Sequence, residues 1–108
     1  PDSTFNADVN AQNFRGLSPL HFAAMNGSAD VARLLLGKGA EPNIEDEDGN
    51  SPLILACKHG HEDVVSCLIE NGADMAMKNV YGENCARAAF KCGRVRILQF
   101  LALCEKNY

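Results

Sequence analysis

Four groupings of side chains in this sequence are placed so that their chemistry needs a test. The first is His21, an imidazole three residues after the Ser18 hydroxyl. A base near a hydroxyl is the beginning of a nucleophilic device, but no Ser/His/Asp arrangement is present to complete it. The second is Cys57, His59 and His61, close enough together to suggest zinc. Gly60 separates the two histidines at an expected helix break, and no second Cys or His pair stands at finger spacing. The third is Ile44-Glu45-Asp46-Glu47-Asp48-Gly49, which invites comparison with a calcium loop. Such a loop needs oxygen ligands at its first, third and fifth positions, glycine at the sixth and glutamate at the twelfth. With Gly49 in the sixth place, Ile44 falls first and Leu55 twelfth, so both ends lack a ligand. The fourth is the adjacent pair Glu62 and Asp63, at a predicted helix start, where two carboxylates answer the helix dipole. No GxGxxG or P-loop is present, and Asn26-Gly27-Ser28 has the form of a glycosylation acceptor, which matters only in a secreted chain. The expectation is no catalytic residue, no bound metal and no cofactor, and hence not an enzyme.

The elements that hold these side chains are organised by repetition. Gly16-Leu17-Ser18-Pro19-Leu20-His21-Phe22-Ala23-Ala24-Met25-Asn26-Gly27 returns 33 residues later as Gly49-Asn50-Ser51-Pro52-Leu53-Ile54-Leu55-Ala56-Cys57-Lys58-His59-Gly60. It returns again, more altered, as Gly82-Glu83-Asn84-Cys85-Ala86-Arg87-Ala88-Ala89-Phe90-Lys91-Cys92-Gly93. A fixed period of this length is the signature of a stacked repeat. The stretch resembles the ankyrin repeat, whose helix-opening motif is Thr-Pro-Leu-His-x-Ala, and the resemblance runs through nearly the whole chain. It implies an all-α repeat fold: an ankyrin-type solenoid of stacked helix-turn-helix pairs with projecting β-hairpin loops. It also implies that His21 is structural, bonding around the serine at the helix start and toward the adjoining loop. The same position holds Ile54 and Arg87 in the other repeats, and Cys57 is in register with Ala24 and Phe90, a packing position. His61 falls on the Gly-His position common at this turn in the family.

Four segments follow. Residues 1–12 carry Ala7-Asp8-Val9-Asn10-Ala11, parallel to Ala40-Glu41-Pro42-Asn43-Ile44, and are expected to be the tail of a preceding repeat or an N-terminal lid. The resemblance implies that residues 13–45 and 46–78 are ankyrin repeats and that 79–108 is a divergent C-terminal one. In the first, Ser18 is expected to cap a helix with Pro19 at its first position, and Gly27 to end it. Leu20, Ala23 and Ala24 fall on one face. A second helix near Ala29 to Leu36 places Val31, Leu34 and Leu35 at helical spacing, and Leu20, Ala23, Val31, Leu34 and their equivalents 33 residues on are expected to be consumed by packing. The next repeat follows the same plan, with Ser51-Pro52, Gly60, then Val64, Leu68 and Ile69. The last helix, about Arg94 to Cys104, is apolar on several sides through Val95, Ile97, Leu98, Phe100, Leu101 and Leu103. A terminal cap should have a polar outer face, so further repeats or a partner are expected to pack on it.

Composition narrows the partners. The net charge of −4 with no basic run speaks against nucleic acid. No apolar run approaches the ~18 residues that span a bilayer, and the first residues show no signal-peptide pattern. Five cysteines, an odd number without a CxxC pair, are expected to be free thiols in a reducing compartment, the cytoplasm or the nucleus.

Binding is therefore expected at positions that stacking leaves free. The resemblance implies hairpin tips and the concave helix surface. The tips are Gln12, Phe14, Arg15 and Leu17; Glu45, Glu47, Asp48 and Asn50; and Lys78, Val80, Tyr81 and Glu83. The helix ends add Met25 and Asn26, Lys58 and His59, and Lys91 and Cys92. Phe14, Leu17, Val80 and Tyr81 put large apolar groups at tips, with the acidic run Glu45-Asp46-Glu47-Asp48 between them. The expected partner is a protein or peptide with Lys or Arg over the middle tip and apolar side chains on either side. An alternative folds Phe14 and Tyr81 back onto neighbouring tips. Asn43 is expected to bond loop backbone in the next hairpin, with side-chain hydroxylation as the other possibility the resemblance raises.

Overall fold

The computed structural model describes residues 8–107, which form six helices in three antiparallel pairs. They are α1 (Pro19–Asn26) with α2 (Ala29–Gly37), α3 (Pro52–His59) with α4 (Glu62–Glu70), and α5 (Cys85–Lys91) with α6 (Val95–Asn107). Helices of two turns are marginal by themselves, so these are held by packing and by their ends. Ser18 Oγ accepts from His21 N–H, Ser51 Oγ from Ile54 N–H, and Asn84 Oδ1 from Arg87 N–H. The third cap was hidden by the worn motif, although asparagine at the register of Ser18 and Ser51 is a good capping residue. Gly27 and Gly60 close α1 and α3 in the left-handed conformation, and the chain turns directly into the partner helix. α2 runs to Gly37, one residue beyond the sequence expectation, while α6 runs from Val95 to Asn107.

The pairs stack by first helix on first helix, α1 on α3 on α5, and second on second, α2 on α4 on α6. The core is a series of inter-repeat layers: Leu20, Ala23 and Ala24, then Leu53, Leu55, Cys57, Val64 and Leu68, then Cys85, Ala89, Ile97 and Leu101. The small residues on the first helices allow close approach. Cys57 on α3 and Cys85 on α5 are neighbours, and Cys85 together with burial pushes the Cys57 thiol well above its ordinary range. Cys57, Cys67, Cys85 and Cys104 are buried, Cys92 is exposed, and none is paired.

Polar groups fasten one repeat to the next. His61 Nε2 lies 3.0 Å from the Met25 carbonyl at the end of α1. One period on, Arg94 Nε donates to the Lys58 carbonyl at the end of α3, at 3.2 Å. These side chains satisfy carbonyls that a helix end otherwise leaves unpaired.

One expectation needs correction. Val31 and Leu34 are not consumed by packing; they are 47% and 59% exposed, and Ala29 and Ala32 are the buried residues of α2. Their counterparts Val64 and Cys67 are buried because α2 lies against α4. In α6, Ile97 and Leu101 are buried, Leu98 and Phe100 are partly so, and Val95 and Leu103 are exposed. The expected lid or tail is described only from Asp8 onward; Ala7 and the residues before it lie outside the described residues. Within it, Asn10 accepts from Glu41 N–H and donates to the Gly39 carbonyl, as Asn43 accepts from Asp74 N–H and donates to the Gly72 carbonyl. Asn10 and Asn43, 33 residues apart, thus make the same pair of bonds.

Candidate functional site

Each hairpin loop is set by one side chain at the same register. Asn13 Oδ1 accepts from the N–H groups of Arg15 and Leu17, Asp46 Oδ1 from Asp48 and Asn50, and Asn79 Oδ1 from Tyr81 and Glu83, all at 2.8–3.0 Å. An amide or carboxylate that satisfies two backbone donors folds its own loop and stiffens it. Adjacent loops are joined by one backbone bond each: Glu47 N–H to the Arg15 carbonyl at 3.0 Å, and Val80 N–H to the Asp48 carbonyl at 2.9 Å. Gln12 Nε2 ties the Gly16 and Glu45 carbonyls, both at 2.8 Å. The projecting hairpins are thus linked tight turns, and no regular strand occurs among the described residues.

The loops hold large apolar side chains in water. Phe14 is 94% exposed, Val80 67% and Tyr81 70%, so Phe14 and Tyr81 do not fold back under neighbouring tips. Leu17 is different, half-buried against the core. Asn50 leaves the candidate surface altogether. It is buried, with its carbonyl 2.9 Å from His21 Nε2 and its Oδ1 accepting from Asn79 Nδ2. The acidic run is also less free than its sequence suggests. Asp46 is spent on its own turn, and Glu47 stands 3.6 Å from the Arg15 guanidinium in an exposed ion pair. Glu45 and Glu47 remain exposed, Asp48 partly so, and Lys78 is exposed.

Along the first helices, Met25 packs partly against the core, while Asn26, Lys58, His59, Lys91 and Cys92 are exposed. Glu83 is engaged by Lys91 Nζ and by Asn79 Nδ2, and the Lys91 contact, then that from Asn79, holds its carboxyl below the usual range. Partial burial, followed by the charges of Lys58 and Arg94 nearby, holds His59 below the ordinary imidazole value. A hollow of roughly 620 Å³ opens between the end of α3, the third loop and α5, lined by Lys58, Tyr81, Gly82, Glu83, Arg87 and Lys91. Arg87 was not among the expected contact residues. It replaces His21 and Ile54 in register but points outward, and a charge where the other repeats are apolar or buried was the available signal.

His21 is part of the framework. Ser18 N–H donates to His21 Nδ1 at 2.9 Å and His21 Nε2 faces the Asn50 carbonyl, so the ring is neutral with its proton on Nε2. Burial lowers its pKa, in accord. Glu62 and Asp63 fall in the first turn of α4. Among the described residues, no group of three or more His, Cys, Asp or Glu is placed to hold a metal ion, and no helix is long and apolar enough to cross a membrane. Asn43 bonds the loop backbone at Gly72 and Asp74, as the simpler of its two readings requires.

A family model described as "Ankyrin repeats (3 copies)" matches residues 3–79 and 20–108. A 39-residue stretch is 49% identical to "Transient receptor potential channel pyrexia" of Drosophila melanogaster, covering 36% of this chain and 4% of that protein. A 42-residue stretch is 43% identical to "ADP-ribosylation factor GTPase-activating protein AGD4" of Arabidopsis thaliana, covering 39% of this chain and 5% of that protein. The chain thus matches only a small part of the length of these relatives.

Proposed function

The chain belongs to the ankyrin-repeat family, and from that premise we propose that it is a non-catalytic interaction module. It takes a partner protein or peptide along its loop tips and the exposed ends of α1, α3 and α5. The observation that carries this is the exposure of Phe14, Val80 and Tyr81 on loops stiffened by Asn13, Asp46 and Asn79. A large apolar group in water is unfavourable until something covers it, and a rigid loop loses little conformational entropy when that happens. Aromatic side chains add much area for few rotors. The partner segment brings apolar side chains to Phe14, Val80 and Tyr81 and Lys or Arg to the Glu45, Glu47 and Asp48 tip. The aromatic contacts supply more of the affinity and the charges more of the rate and orientation. A reducing compartment, the cytoplasm or the nucleus, suits the unpaired thiols.

A second reading makes the chain a segment of a longer array, or a regulatory domain beside an enzyme or channel. Asn10 in repeat register and the exposure of Val31 and Leu34 support it, because a preceding helix pair would cover that face as α2 covers α4.

Affinity capture from cell lysate separates the readings. One bait is this chain, and the other carries Phe14→Ala, Glu47→Lys, Asp48→Lys and Tyr81→Ala, after circular dichroism shows equal helicity. Partners retained by the first and lost by the second are the expected result. Identical capture by both overturns the tip reading and moves the search to the open ends of the stack.

A further inference from the structure

From the hollow beside the third loop, we infer that this module binds an acidic stretch of its partner, with Asp or Glu side chains entering between Lys58, Arg87 and Lys91. The inference rests on the interaction reading above and names the chemistry of one part of that surface. Three cations line the hollow against one carboxylate, Glu83, which Lys91 and Asn79 already engage. Lys58 and Arg87 have no salt-bridge partner among the described residues, and both are exposed. The positive field extends past the hollow. The Arg94 side chain lies against the end of α3, where its Nε donates to the Lys58 carbonyl, and His59 beside it is held below its ordinary pKa first by burial and then by Lys58 and Arg94. Four of the ten Lys and Arg residues, Lys58, Arg87, Lys91 and Arg94, stand in or beside this hollow, in a chain whose net charge is −4.

The helix dipole explains part of the pattern, because Lys58 and Lys91 sit in the last turns of α3 and α5. It does not explain Arg87, which stands near the start of α5, where a cation is disfavoured. Nor does the first repeat share the pattern, having Met25 and Asn26 where the second has Lys58 and His59. A protein carboxylate fits the hollow better than a polyanion does. The site is a concavity of roughly 620 Å³ walled by Tyr81, not an extended basic track, and the neighbouring Glu45, Glu47 and Asp48 would repel a continuous run of phosphates. The surface is therefore two-signed, and it orients a partner with basic residues over the middle loop and acidic ones one loop further along.

The test is an array of random dodecapeptides, sorted by Asp/Glu and Lys/Arg content and probed with the whole chain. The double variant Lys58→Ala/Arg87→Ala spares the Lys91–Glu83 pair, and Glu47→Lys/Asp48→Lys reverses the tip. The expected result is a bound set enriched in Asp and Glu, with binding about fivefold to tenfold weaker for Lys58→Ala/Arg87→Ala, as two exposed charge contacts allow. Circular dichroism must show that variant still helical; if it has unfolded, Arg87→Gln alone, a solvent-exposed change, replaces it with about a twofold to fivefold loss expected. A bound set without acidic enrichment, or equal binding by the variants, overturns the inference. If that set is instead basic and lost with Glu47→Lys/Asp48→Lys, the tip reading stands while this one falls. An array with no bound peptide overturns it too, while lysate capture still decides the tip reading. A labelled oligo-dT and phosphatidylserine vesicles complete the experiment. Binding of either that matches the peptides and weakens with the same variant shows a general anion patch and overturns the claim for a protein carboxylate.

Discussion

Phe22 and Leu55 occupy the same place in successive repeats, as do Val31 and Val64, and Leu34 and Cys67. In each pair the first is exposed and the second buried. At the other end Phe90 is exposed where Ala24 and Cys57 are fully covered. Position within the repeat fixes which way a side chain faces, but the neighbouring repeat decides whether that direction is core or water. The middle repeat is the only one with a described neighbour on both sides. It is accordingly the most fully buried, with every residue from Ser51 to Cys57 out of water. Stability in such a stack is a sum of repeat and interface contributions, so the middle repeat contributes to two interfaces and the outer ones to one.

Substitutions at matched positions sharpen or break this contrast. The largest effect is expected from Leu53→Ala, which leaves a cavity in the middle layer and costs about 2–5 kcal/mol in urea unfolding. Next is Gly27→Ala against Gly93→Ala. Both residues have positive φ, 75° and 71°, and each alanine carries about 1–2 kcal/mol of backbone strain. At Gly27 the new Cβ would also fall 2.5 Å from the His61 ring, whereas nothing lies within 4 Å at Gly93. Gly27→Ala should therefore cost about 1 kcal/mol more, with repacking of His61. Equal losses would mean that the His61 contact is soft and the interface more tolerant than its geometry.

The pH profile comes next. His21 has a lowered pKa in the folded chain, so the unfolded chain takes up protons first. The neutral ring's contribution is complete above the unfolded value of about 6.5 and is lost as pH falls through the lower folded value. Protonation at Nδ1 would also remove the acceptor of Ser18 N–H. Thermal melts of the wild type should decline over that window, and those of His21→Gln should decline less. His59 acts in the same direction in both chains, so the difference between the two curves reports His21. The smallest effect is expected from Val31→Ala, about 0.5 kcal/mol or less, since nearly half the side chain already meets water. A loss as large as that of Leu53→Ala would show that the outer face is covered in solution.

Much of this architecture was legible in the sequence because its causes are local. The 33-residue spacing, the serine caps at Ser18 and Ser51, the glycines that end α1 and α3, and the tip positions of Phe14, Val80 and Tyr81 all depend on the chain within a few residues of each. Asn84 shows the limit of motif reading, since a cap was present after the motif around it had gone. Tertiary structure decided whatever depends on residues a full period apart. It exposed Val31 and Leu34, buried Asn50 beneath His21, and set Arg15 against Glu47, so that the acidic tip is partly neutralised. It also gathered Lys58, Arg87 and Lys91 around one hollow. The physical reason is that burial and charge pairing are properties of neighbours in space, and in a stacked chain those neighbours come from the adjoining repeats.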